Sequence, residues 1–151
     1  MKHFLLLAFS FLVMTACSQG EKPRAADFVP PAESSADFGD LRVHYNALPT
    51  LSLNDAVARE YGVRKDSRTA MVVIALRRVQ NGAETSADGQ VSGEAIDLQG
   101  ARQRIEFAAV KTGDYTDHIG VFSISPRDSY RFEVVVQANG RSDTVKFQRN
   151  F

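Results

Sequence analysis

Turn dipeptides cut the second half of this chain into short lengths, and that punctuation limits the fold more than any other feature. Asn81-Gly82, Asp88-Gly89, Gly113-Asp114 and Asn139-Gly140 are turn pairs, and Pro126 breaks the chain between the last two. The lengths between them alternate in character. Tyr130, Phe132, Val134 and Val136 are interleaved with Arg131, Glu133 and Gln137, apart from Val135. In the last run Val145, Phe147 and Phe151 fall on one face, and Thr144, Lys146, Gln148 and Asn150 on the other. A period of two is that of a half-buried strand. Asn139-Gly140 between two such runs is a strong hairpin signal.

The same reading extends towards the N-terminus. Thr69 to Leu76 (TAMVVIAL) is a continuous apolar run rich in β-branched residues, expected as a central strand buried on both faces. Strands are also expected at Leu41 to Tyr45, ended by Pro49, at Val91 to Leu98, and at Tyr115 to Ile124. Arg102 to Lys111 reads as one more, with Ile105, Phe107 and Ala109 on one face. The one helix expected follows Ser52-Leu53-Asn54-Asp55, which resembles a capping box with Ser52 at N-cap. It runs through Ala56, Val57 and Tyr61 and stops at Gly62. The expectation is an all-β chain: an antiparallel, immunoglobulin-like β-sandwich of about seven or eight strands with one short helix. With no Trp and one Cys, the Cys…Trp…Cys pattern of antibody domains is absent.

The N-terminus carries an address. Lys2 is followed by an apolar run from Phe4 to Met14, interrupted by Ser10, too short to span a bilayer and suited to a signal peptide. Met14 stands where an ordinary cleavage site wants a small residue, and Met14-Thr15-Ala16-Cys17 reads as a lipoprotein attachment box. Residues 1–16 are then the signal, Cys17 is the lipidated residue, and several acyl chains on it give stable anchoring where one would not. Ser18, in place of an Asp, resembles the pattern that sends Gram-negative lipoproteins to the outer membrane rather than retaining them at the inner one. Residues 17–36, with Pro23, Pro30 and Pro31 and no period, read as a tether, and residues 37–151 as the domain.

Composition narrows the function. Of 18 basic residues one, Lys2, lies in the signal, so 17 face 18 acids after cleavage, a net charge of −1. That excludes the concentrated basic surface of a nucleic-acid binder. Cys17 is the only cysteine, so the domain holds no disulfide, thiolate zinc site or redox motif. No P-loop, G-x-G-x-x-G, H-E-x-x-H or G-x-S-x-G occurs, since Gly89-Gln90-Val91-Ser92-Gly93 has the wrong spacing. Asp114, Asp117 and His118 could offer metal ligands, but alternation sends Asp117 and His118 to opposite faces. No catalytic residue, metal or cofactor is expected. Among the basic residues, Arg102 and Arg104 share a face and could grip a carboxylate or phosphate.

Phe38-Gly39-Asp40-Leu41-Arg42-Val43-His44-Tyr45-Asn46-Ala47 is distinctive. With Tyr61-Gly62, Ser92-Gly93, Glu106-Phe107 and Val145-Lys146-Phe147-Gln148, it resembles the domain-of-unknown-function family 4426 of proteobacterial exported proteins, over about Asp37 to Phe151. The resemblance implies a small periplasm-facing β-sandwich and brings no activity with it. Arg42, His44 and Asn46 alternate away from the Leu41, Val43 and Tyr45 face, which makes them the candidate binding surface. The expected function is a noncatalytic binding or interaction module, held to the outer membrane through Cys17 and contacting an envelope protein or glycan. The alternative is an envelope hydrolase with its site near His44.

Overall fold

The computed structural model describes residues 34–151. Cys17, the signal and most of the tether lie outside the described residues. Ten strands form: β1 (Ser35–Phe38), β2 (Leu41–Pro49), β3 (Thr69–Gln80), β4 (Ala83–Ser86), β5 (Gln90–Ile96), β6 (Arg102–Ile105), β7 (Phe107–Thr112), β8 (Tyr115–Ser123), β9 (Ser129–Ala138) and β10 (Arg141–Asn150). They make two antiparallel sheets, β1-β2-β3-β8-β7 and β10-β9-β5-β6. β4 pairs with β3 over Arg77 to Gln80, beyond the point where β8 leaves it at Ala75.

The all-β sandwich expectation holds, with more strands than the seven or eight counted. β1 starts at Ser35, inside the stretch read as tether, and turns into β2 through Gly39 at φ +69°. The run expected as one strand from Arg102 to Lys111 is two: β6 pairs with β5 in the second sheet, and β7 pairs with β8 in the first. Gly120 on β8 leaves the space into which the Ile105 side chain packs at that crossing. The strand at Val91 ends at Ile96, and Leu98 lies beyond it, 68% exposed.

Both Asn-Gly pairs make two-residue hairpins. Asn81 and Gly82 have φ +51° and +79°, and Asn139 and Gly140 have +52° and +73°. Positive φ at both central positions is the type I′ geometry whose twist matches that of the strands it joins.

The core lies between the sheets. Val43 and Tyr45 of β2 and Val72, Ile74 and Leu76 of β3 meet Phe132, Val134 and Val136 of β9 and Val145 of β10. Tyr45 stacks on Phe147 and Phe147 on Phe132, with ring centroids 4.7 and 4.6 Å apart, and Phe122 meets Phe132 edge-on. β3 is buried on both faces, as its continuous apolar run implies. Its outer side is covered by a second cluster in which Met71 and Ile119 lie under Leu53, Ala58 and Val63.

Leu53, Ala58 and Val63 belong to the one helical region among the described residues. A 3-10 turn, Thr50–Ser52, precedes α1, Asp55–Glu60. The N-cap is Asn54, whose Oδ1 accepts from the Val57 N–H at 2.9 Å, and not Ser52, which closes the 3-10 turn. Gly62 ends the helix at φ +64°, and the Val63 N–H reaches back to the Ala58 carbonyl at 2.8 Å.

Candidate functional site

Antiparallel register decides what shares the outer face of the first sheet. Across it, Asp37 of β1 lies opposite Arg42, Arg42 opposite Arg77, and Arg77 opposite Ser86. In a second row Ser35, His44, Ala75, Asp117 and Val110 line up across five strands. In a third, Asn46 faces Val73 and Val73 faces Ile119. Alternation therefore brings Arg42, His44 and Asn46 together on this face, opposite the buried Leu41, Val43 and Tyr45.

Two of the three are held by ion pairs. Arg42 grips Asp37 with two bonds, Nε to Oδ1 at 2.6 Å and Nη2 to Oδ2 at 2.9 Å. Its Nη1 donates to Glu84 Oε1 at 3.0 Å, and the other oxygen of Glu84 meets His44 Nε2 at 2.9 Å. An ionised carboxylate only accepts, so His44 carries its proton on Nε2 and keeps Nδ1 as an acceptor when neutral. The hydrogen bond from His44, then that from Arg42, holds the Glu84 carboxyl below its ordinary value. Arg42 does the same to Asp37, and the two carboxylates raise Arg42 further into its charged range. The fork fixes β1 and the β3–β4 hairpin to β2.

Asn46 is exposed, and its Oδ1 accepts from the Ala47 N–H at 2.9 Å. Between it and His44 lies a shallow notch of about 190 Å³, floored by the small side chains of Val73 and Ala75. The hydrolase reading needs a nucleophile on the imidazole. Among the described residues the bonded partner of the His44 ring is Glu84, with no hydroxyl on it.

Beside this network is a buried pair. Arg77 Nη2 donates to Asp117 Oδ1 at 2.6 Å, and its Nη1 reaches the Leu76 and Thr116 carbonyls. The Tyr115 ring covers the guanidinium at 4.5 Å. The Tyr61 hydroxyl donates to the other Asp117 oxygen, and burial, then the Asp117 charge, pushes the phenol up. His118 points the other way, into the sandwich, where its Nε2 donates to the Gly89 carbonyl at 3.2 Å. The separation of Asp117 from His118 is the one alternation requires. Among the described residues no group of three or more His, Cys, Asp or Glu could hold a metal ion.

Sequence reasoning missed Glu84. It sits in AETS, a four-residue polar run with no strand signal of its own, and its partners are 40 and 42 residues away. Of the two arginines singled out for anion binding, Arg102 is committed to Glu94 and approaches Glu133, whereas Arg104 is exposed and unpaired among the described residues.

Comparison with known proteins returns one family and one fold. A family model described as a domain of unknown function (DUF4426) matches residues 35–151. A crystal structure of a DUF4426 family protein from Pseudomonas aeruginosa PAO1 is similar at 27% identity and a TM-score of 0.66, covering 80% of this chain and 94% of that one. FetP of uropathogenic Escherichia coli strain F11, expressed in the periplasm, shares the fold at 9% identity and a TM-score of 0.59, over 80% of this chain and 94% of its own. A copper-bound variant of FetP aligns with a TM-score of 0.57 at 11% identity, over 80% of this chain and 95% of its own. No curated protein matches the chain in sequence.

Proposed function

This chain belongs to the DUF4426 family of domains of unknown function, and from that premise we propose that it is a noncatalytic binding module of the bacterial envelope. Its binding surface is the outer face of the first sheet around His44. The observation that carries this reading is the Asp37–Arg42–Glu84–His44 network, locked beside an apolar notch that α1 leaves uncovered. Side chains already held in place lose little freedom when a partner arrives, so a preformed polar rim round an apolar notch favours binding. An apolar side chain of the partner enters over Val73 and Ala75, and polar groups meet Asn46 and the free nitrogen of His44.

The module is tethered through lipidated Cys17 to the outer membrane, facing the periplasm. Supporting this address are the apolar run ending at Cys17, the family of exported proteins that the sequence resembles, and a fold shared with FetP, which was expressed in the periplasm. Among the described residues no helix is long and apolar enough to cross a membrane. The copper of the FetP variant is not carried over, because among the described residues the His44–Glu84 pair offers two donors and no third.

Purified full-length chain in detergent is titrated with solubilised envelope proteins and, separately, with isolated envelope glycan. Saturable binding to one of the two, lost when Asn46→Trp blocks the notch, is the expected result. Binding to neither, or binding indifferent to Asn46→Trp, removes this surface from the account.

A further inference from the structure

The second sheet has a gap in its edge. β9 lies along one side of β5 from Gln90 to Ile96, but β6 lies along the other side only from Gly93 to Ile96, because the chain then crosses to the first sheet. Gln90, Val91 and Ser92 are left without a strand partner on that side, and among the described residues no other backbone bond reaches them. An unpaired edge offers a row of N–H and C=O groups to any extended chain that fits. A groove of about 630 Å³ opens at this place, with Val91, Ile105 and Phe107 in its floor.

The charges round the groove are unevenly committed. Glu94 is taken by Arg102, and Glu133 by Lys146 at 3.0 Å with Arg102 at 3.7 Å. Arg104 stands opposite Glu94 across the β5–β6 pairing and, like Glu106, has no hydrogen bond or ion pair among the described residues. A free guanidinium offers a fork of donors shaped for a carboxylate. The glutamates around it disfavour a compact, multiply charged anion such as phosphate. A peptide backbone matches the neutral donors and acceptors of the β5 edge, and one acidic side chain on it satisfies Arg104.

We propose that this groove takes an extended peptide segment, which adds as a short strand along Gln90–Ser92 and presents an acidic side chain to Arg104. This is strand addition at a sheet edge, with main-chain bonds giving affinity and one side-chain contact giving selection. It is a second surface, on the sheet opposite the His44 face, and stands or falls separately from it.

The test titrates full-length chain with an end-blocked fluorescent pentapeptide, Ser-Val-Glu-Val-Ser, and with its Gln counterpart, read by anisotropy. Amide exchange is followed at Gln90 to Ser92. The Glu peptide binds saturably, slows exchange at those of the three amides that point away from β9, and binds about tenfold tighter than the Gln peptide, the scale of one charge-assisted hydrogen bond. Arg104→Ala abolishes the preference, and Arg102→Ala keeps it. No saturable binding, equal affinity for the two peptides, a preference that survives Arg104→Ala, or protection confined to other strands would each overturn the proposal.

Discussion

Asp117 and His118 show how far one residue's reading goes. Alternation places them on opposite faces, and the structure gives them unrelated tasks: Asp117, 8% exposed, neutralises Arg77, and His118, 6% exposed, bonds a carbonyl inside the sandwich. Removing one member of a buried pair leaves the other charge uncompensated. Asp117→Ala is therefore expected to lower stability by about 3 kcal/mol in urea unfolding, and Asp114→Ala, on the exposed turn, to leave the midpoint in place. The carboxylates nearer the surface respond to pH instead. Asp37, Glu84 and Glu133 are held below the ordinary values of 3.8, 4.5 and 4.5 by hydrogen-bonded partners, Asp37 by Arg42, Glu84 by His44 first and Glu133 by Lys146 first. Groups whose folded-state pKa is depressed contribute stability that is whole above the unfolded value and lost as pH falls through the folded one. Amide exchange in β1 and β4 should thus be flat from pH 7 down to about 5, once corrected for intrinsic rates, and rise below about 4.5. Glu84→Gln should show the rise in β4 already at pH 7. The sequence marked Arg42 and His44 through alternation. It could not mark Glu84, because an ion pair between strands 40 residues apart leaves no local pattern.

The elements set by local rules were legible, and those set by pairing were not. Asn139-Gly140 needs positive φ at both positions and supplies residues that accept it, so the β9–β10 hairpin could be read directly. Gly140→Ala, forced to φ +73°, should cost about 1 kcal/mol, measured by thermal unfolding. The continuous apolar run of β3 likewise announced burial on both faces. β6 and β7 look like one strand in the sequence because Ile105 and Phe107 keep the alternation across the crossing. Alternation says which side of a strand is buried and nothing about which sheet it joins. β1 was hidden by length, four residues whose partner lies across a Gly39-Asp40 turn. Among core positions, Phe132 is 1% exposed and stacks on Phe147, so Phe132→Ala should destabilise by about 3–5 kcal/mol with the urea slope unchanged.

At the scale of the whole molecule, the sandwich carries different surfaces on its two outer faces, one locked by ion pairs and one left open at an edge. A fold of this kind hosts many activities, so shared architecture with FetP fixes the scaffold and leaves the function to the sites. The anchor has its own check: metabolic labelling with palmitate should mark the full-length chain, and Cys17→Ser should abolish the label and release the protein from the membrane fraction. The central claim, that the His44 face is where a partner docks, is tested most directly by crosslinking in intact cells. A photoreactive residue at Asn46, on that face, is compared with one at Gln148, on the outer face of the other sheet. The account predicts one dominant adduct from Asn46 that disappears with Glu84→Gln and is absent from Gln148. No adduct from Asn46, or the same adducts from both positions, would contradict it.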